Sequence, residues 1–382
     1  MKHNIIFLDC TQNYTMQYSA SNTKIEFLAK GLVEQGDVCT IHNGINGASL
    51  SEETIVLKKE DIGTVVTYKQ KGNKHISWIL NYKKLKKDLI KLYNEDCSNI
   101  VVLVMPIYHI FRIYVKLARK IGYKVVSIAH EWPPTVNTIH PIKRPFFNLT
   151  SLLFGKYVDG ILPISEYIID KIRHFEKPYL KVPILADFSF TPQFKNGTND
   201  YFIYCVYAAY RRIILPIIRS FHSYLKCGGS HSLILILSGS QEDIEQIKTY
   251  IQNLDLGNRI LIKSKVQYNE LYELYSNASG LIIPLDPNSE QDKARFSQKI
   301  AEYLSSGSPL ISNNVGEIEY YFKDKENIIL CDYEKGWSKI FHWVSNNPEE
   351  ARRIGLKGYE TGKKYFNYHT FGRIVHDFFD TL

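Results

Sequence analysis

Two α/β domains, each a doubly wound and mostly parallel sheet, are what this sequence predicts, and three observations carry the prediction. At 382 residues the chain is longer than one hydrophobic core usually supports. Its composition, 45% hydrophobic and 23% charged, is that of a soluble globular protein with ample surface for packed cores. Short apolar runs alternate with longer amphipathic stretches along nearly all of it, the rhythm of βα units.

In the first half the expected strands are residues 4–10, 37–43, 99–105, 124–130 and 160–165. Thr23 to Gln35 reads as a helix with Ile25, Leu28, Ala29 and Leu32 on one face, ending at Gly36. The second half repeats the pattern with strands at 201–208, 232–239, 259–265, 280–286, 308–314 and 327–332. Between the halves, residues 186–200 combine Pro, Gly, Asn and Asp with weak periodicity and read as a linker. The expected division is 1–190 and 191–360, with a helical tail over 361–382 able to cross back to the first domain.

A formal charge of +8 favours anionic partners: nucleotide phosphates, lipid phosphates or a membrane face. Six scattered cysteines point to a reducing compartment. The first residues hold an apolar stretch too short for a signal sequence, and no run approaches the length of a spanning helix. The expectation is a cytoplasmic protein, with contact at the inner face of the membrane as its furthest reach.

Residues 280–322 carry the most chemistry. A buried strand ends at Pro284, a polar loop follows, and an amphipathic helix begins near Ser297 with Ile300, Ala301 and Leu304 inward and Gly307 at its end. A helix N-terminus presents unsatisfied N–H groups and partial positive charge, which suits a phosphate. Glu302, one turn in, is placed to accept hydrogen bonds from a ribose diol. The alternative is a capped surface helix with Lys299 and Glu302 solvated. In residues 201–221, Arg211 and Arg212 open a helix after a strand, either as phosphate ligands or as a solvated pair. In 124–135, His130 and Glu131 follow a strand at its carboxyl edge, where ligands of open parallel sheets bind. A lone histidine there is otherwise a structural one, satisfied by a backbone carbonyl.

The stretch KIAEYLSSGSPLIS (299–312), with NNVGEIEYYFKDKENIIL (313–330) after it, resembles the donor-binding segment of retaining GT-B glycosyltransferases of the GT4-like superfamily, the glycosyl transferases group 1. The family's loop Glu-x-Phe-Gly and its second Glu fall on ARFSQKIAE (294–302). The resemblance implies a GT-B fold: two Rossmann-like domains facing a central cleft, acceptor side first and nucleotide-sugar side second. It gives Glu302 to the ribose, and the backbone around Phe296, Ser297 and Gln298 to the diphosphate and sugar. Arg212 takes the position of a Lys that neutralises the diphosphate, with Arg211 or Lys299 as second cation, since Val206 stands where the family has Arg. The family's first Glu is Ala294 here, and Glu290 and Asp292 are the carboxylates available on the same loop. His130 falls near the donor sugar and acceptor. Where the family carries a Gly-Gly pair after the first strand, this chain has Ser19, Ala20, Ser21 and Asn22, and Glu131 is a further residue for an acceptor hydroxyl.

The implied activity is transfer of a sugar, with retained anomeric configuration, from a nucleotide sugar to a hydroxyl of a glycan or lipid-linked acceptor in cell-surface polysaccharide or glycoconjugate synthesis. No metal site and no cofactor are expected. The alternative is a catalytically impaired nucleotide-sugar-binding or scaffold protein, given Ala294 and Val206. A nicotinamide dehydrogenase would show G-x-G-x-x-G, a P-loop enzyme its own signature and a metal-dependent GT-A transferase Asp-x-Asp; all are missing. Lysines are dispersed, against a nucleic-acid binder. Two basic amphipathic stretches, 81–95 and 140–156, suit either an interfacial helix reaching an anionic bilayer or an ordinary helix packing its apolar side inward.

Overall fold

In a computed structural model the protein is described at residues 2–8, 20–73, 76–104, 108–136, 139–189, 192, 199–264 and 266–382. The chain forms two compact units. The first comprises Met1–Ala186, Lys293–Gln298 and Phe366–Leu382; the second comprises Asp187–Asp292 and Lys299–Tyr365.

The first unit is built on β1 (His3–Leu8), β2 (Val38–Ala48), β3 (Thr54–Lys59), β4 (Gly63–Lys69), β5 (Ser98–Val104), β6 (Lys124–Ala129) and β7 (Gly160–Pro163). Their order is β3-β4-β2-β1-β5-β6-β7, parallel except for the antiparallel hairpin β3–β4. That hairpin, absent from the sequence reading, covers an edge with a strand whose Val56, Leu57, Lys58 and Lys59 are exposed. The helix Ala20–Glu34 starts three residues earlier than expected and ends before Gly36, whose φ of 86° is the left-handed geometry a glycine supplies there.

The second unit carries β8 (Asn199–Tyr207), β9 (Ser232–Ser238), β10 (Ile260–Lys263), β11 (Ala278–Ile283), β12 (Leu310–Ser312) and β13 (Ile329–Leu330), all parallel in the order β10-β9-β8-β11-β12-β13. Both units are Rossmann-like, as the sequence implied. Strands of this kind are buried on both faces, which is why they read as continuous runs such as LILIL at 233–237.

Three features tie the ends of the first unit to its sheet. The helix Tyr368–Asp380 crosses the helix Ala20–Glu34 where two glycines meet: a Cβ on Gly31 would sit 2.5 Å from the carbonyl oxygen of Tyr368 and 2.8 Å from Cα of Gly372. Asp37 accepts from the backbone N–H of His3 at 2.9 Å and lies 3.2 Å from its Nδ1, while its other oxygen is 2.9 Å from Nδ1 of His376. Burial pushes the Asp37 carboxyl up, and the bonds from the two histidines outweigh it and hold the group below its usual range. Buried Lys24 donates from Nζ to the carbonyl of Val182 at 2.8 Å, and desolvation lowers its pKa to about 7.

Two outcomes follow for stability. Gly372→Ala gains helix propensity but drives a methyl into the backbone of Gly31, so thermal or urea unfolding should show a loss of about 1–3 kcal/mol. Gly257→Ala, with open space around its Cβ, should stay within about 0.5 kcal/mol of the parent, and equal effects of the two would refute the close crossing. For Lys24 the folded pKa lies below the unfolded value of 10.5, so the unfolded chain binds the extra proton between pH 7 and 10. The parent should therefore gain stability relative to Lys24→Met as pH rises through that window, by up to about 1.4 kcal/mol per unit. A pH-independent difference would mean that the ammonium stays charged.

Candidate active site

In an open parallel sheet the carboxyl ends of the strands, at the point where the strand order reverses, form the natural ligand site. In the second unit that point lies between β8 and β11, since β9 and β10 extend to one side and β12 and β13 to the other. The loop after β8 leads into the helix Arg211–Lys226, and the loop after β11 leads into the short helix Glu290–Ala294.

Arg211 and Arg212 occupy the first turn of their helix, both exposed, behind Tyr210, whose side chain makes no cap. First-turn N–H groups with two exposed guanidinium groups beside them form an electropositive helix start. Arg211 is 3.9 Å from Asp243, whereas Arg212 acts on the phenol of Tyr333 together with Asp286 and Asp292. Burial and the two carboxylates push that phenol up, and Arg212 opposes them. The Arg212 side chain is thus within electrostatic reach of the loop after β11. That loop is braced: Leu285 N donates to Asn313 Oδ1 at 2.9 Å, and Asn313 Nδ2 donates to the Cys331 carbonyl at 2.7 Å.

Of the two carboxylates considered in place of Ala294, Asp292 is buried and accepts from Asp286 N at 3.0 Å, closing the loop on itself. Glu290 is exposed. Glu302 and Lys299 lie on the helix Gln298–Ser306, Glu302 buried and Lys299 half-buried. Both act on the Cys205 thiol near the end of β8: burial pushes it up, Lys299 lowers it, and Glu302 raises it further. Tyr303 supports the same strand, its hydroxyl accepting from Cys205 N at 3.1 Å. Val206, in the family's Arg position, is buried in the core.

The segment 293–298 belongs to the first unit. Phe296 is buried with its ring 5.4 Å from that of Phe366, and Gln298 pairs both ends of its amide with the backbone of Leu185. Ala294 is buried, its carbonyl accepting from Ser165 Oγ at 2.6 Å, while Ser165 also caps the helix Glu166–Ile172. Ser297 is half-buried between these anchors. The side chains of Phe296 and Gln298 therefore hold the segment in place.

His130 and Glu131 follow β6 and line a cavity of about 300 Å³ in the first unit together with Ile128, Pro133, Val136, Ile139 and Phe147. Desolvation, then the charge of Lys24, lowers the His130 pKa to about 4, so the imidazole is neutral at physiological pH. Glu131 lies at the exposed rim, where surrounding protein raises its carboxyl and Arg295 works against that. Ser19 lies outside the described residues. Ala20, Ser21 and Asn22 form the first turn of the helix Ala20–Glu34 instead of a loop, Asn22 buried. Lys24, on the next turn, was missed by sequence reasoning; its only signal was a cation two residues from Asn22 within the first turns of that helix.

Known proteins share the fold and part of the sequence. Residues 194–361 match the family model described as glycosyl transferases group 1. The O-antigen chain mannosyltransferase RfbU of Salmonella typhimurium is 21% identical over 264 residues, 64% of this chain and 70% of that one. Sucrose-phosphate synthase from Thermosynechococcus elongatus superposes with a TM-score of 0.78 at 11% identity, covering 100% of this chain and 99% of that one. HepE of Anabaena, solved with UDP and glucose, superposes with a TM-score of 0.73 at 10% identity over 100% of both chains. The chain thus has the GT-B fold, and its residues 194–361 match the model of the glycosyl transferases group 1.

Proposed function

We propose that the protein is a retaining, GT4-like hexosyltransferase that moves a sugar from a nucleotide sugar to a hydroxyl of a glycan or lipid-linked acceptor in cell-surface polysaccharide or glycoconjugate synthesis. The observation that carries the reading is the grouping of buried Glu302 with Lys299 beside Cys205, at the strand-order reversal from which Arg212 also emerges. The O-antigen role of RfbU and the UDP held by HepE support it.

In this reading Glu302 accepts hydrogen bonds from the ribose hydroxyls. The backbone at 296–298, Arg212 and Lys299 take the diphosphate, with Arg211 and Glu290 flanking the donor. When the bond from the anomeric carbon to the phosphate oxygen breaks, negative charge grows on the leaving diphosphate, and fixed cations and amides stabilise it as it forms. The acceptor oxygen bonds to the same carbon on the same face and its proton passes to the departing phosphate oxygen. Neutral His130 and the rim carboxyl Glu131 serve as hydrogen-bonding groups for sugar hydroxyls; at pKa about 4 the histidine adds no cation. No protein nucleophile, metal or cofactor enters the scheme, so a chelator should leave turnover unchanged.

Glu302→Ala should weaken binding of the nucleotide by about 10- to 100-fold in calorimetry, the value of hydrogen bonds to a charged group. Arg212→Ala should cut kcat/KM by about 100- to 1,000-fold while leaving ribose recognition in place. If no nucleotide or nucleotide sugar raises the melting temperature of the parent, the donor assignment fails. Buried Ala294 and Val206 favour a second reading, a nucleotide-sugar-binding protein without turnover. Stabilisation by nucleotide sugars, without nucleotide release on any glycan or lipid acceptor tried, would select it.

A further inference from the structure

The helix Arg144–Leu153 is amphipathic the wrong way round for a free surface. Its inward positions are Thr150 and Ser151, both buried, while Phe146, Leu149 and Leu152 face outward, with Phe146 51% and Leu152 62% exposed. Ile142, in the turn Pro141–Lys143 just before the helix, is 74% exposed. Residues 142, 146, 149 and 152 fall at helical spacing, so these side chains form one stripe. Scattered exposed apolar residues need no explanation, but a contiguous stripe of four marks a surface that something covers.

The charge around the stripe says what covers it. Between Glu131 and Asp159 the sequence holds no acidic residue, while Lys143, Arg144 and Lys156 are exposed there. Arg112, on the neighbouring helix Tyr108–Ile121, stands over the ring of Tyr157 at 3.7 Å. The helix Ser77–Leu92, in contact with Tyr108–Ile121, adds exposed Ile79 and Leu80 near its start, followed by Lys83, Lys84, Lys86 and Lys87. Each of these helices follows a strand that runs parallel to β1, so their N-terminal ends share the carboxyl edge of the sheet. Apolar side chains flanked by cations, with few carboxylates among them, complement an anionic bilayer surface. No helix among the described residues is long and apolar enough to cross a membrane.

We propose that the outward face of residues 142–152 docks this protein on the surface of an anionic lipid bilayer, inserting Ile142, Phe146, Leu149 and Leu152 while Lys143 and Arg144 meet the headgroups. Phe147 of the same helix, with Ile139 just before the segment, lines the cavity that holds His130 and Glu131, so docking brings that cavity toward the membrane surface. All of these residues belong to the first unit, and the inference stands apart from the donor assignment.

The test is flotation of the full chain with vesicles of phosphatidylcholine alone and of phosphatidylcholine mixed with phosphatidylglycerol. The parent should float with the anionic vesicles, release as salt is raised, and stay in solution with the neutral ones. Phe146→Glu with Leu152→Glu should lower the bound fraction by at least about ten-fold, the equivalent of losing burial of one large apolar side chain. Lys143→Glu with Arg144→Glu should abolish the preference for anionic vesicles. Because these side chains are exposed, melting temperature and nucleotide binding should match the parent, separating this result from a failure of the donor site. Absence of binding to anionic vesicles, or binding unchanged in the Phe146/Leu152 variant, overturns the proposal. A dimer of the parent in light scattering that the Phe146/Leu152 variant converts to monomer, with no vesicle binding, would overturn it in favour of an interface between two copies.

Discussion

A parallel sheet covered by helices on both faces buries every side chain along its strands, and polar chemistry is thereby confined to the strand ends. Both units follow it away from the strand ends and sheet edges, where Val38, Tyr207 and Leu261 are exposed. In β6 every residue after Lys124 is buried, and His130 is the first position beyond it with solvent contact. In the second unit the core runs through β8, β9 and the helix Arg211–Lys226, and the exposed guanidinium groups stand where that helix begins. Two polar groups deep in the second unit are satisfied by backbone: Ser312 Oγ donates to Ile283 at 2.7 Å, and Asn313 spans Leu285 and Cys331. Such bonds fix the loops at the reversal point, beside which the exposed guanidinium groups of Arg211 and Arg212 stand.

The same constraint decides what the sequence disclosed. Runs buried on both faces are unmistakable, so eleven of the expected strands coincide with β1, β2 and β5–β13. The hairpin β3–β4 escaped because its edge strand TIVLKK is half solvent-exposed and carries two lysines, so nothing in it resembles a core run. Glu302 was legible, since its spacing from the helix start and the resemblance coincide. The anchoring of Phe296 on Phe366 and of Gln298 on Leu185 was not, because the partners lie 70 and 113 residues away in sequence and local pattern carries no sign of them. Lys24 was hidden in the same way: it stands beside Ile25 in an ordinary amphipathic helix, and the carbonyl that receives it comes from a segment 158 residues later.

Periodicity also fixes that a helix has an apolar stripe without fixing which way the stripe points, and the helix Arg144–Leu153 turns on that ambiguity. Burying Thr150 and Ser151 is inexpensive because each hydroxyl donates to a carbonyl one turn back, Phe146 and Phe147 respectively, both at 3.1 Å. Leaving Phe146, Leu149 and Leu152 part-exposed, by contrast, forgoes about half of the roughly 1.5–3 kcal/mol that full burial of each side chain returns. Rotating the helix to bury them would turn Thr150 and Ser151 toward water together with Lys143 and Arg144, which stand seven residues earlier on the same face, so no buried charge opposes that turn. Folding alone therefore gives no reason for the outward stripe, whereas a surface that covers Phe146, Leu149 and Leu152 supplies one.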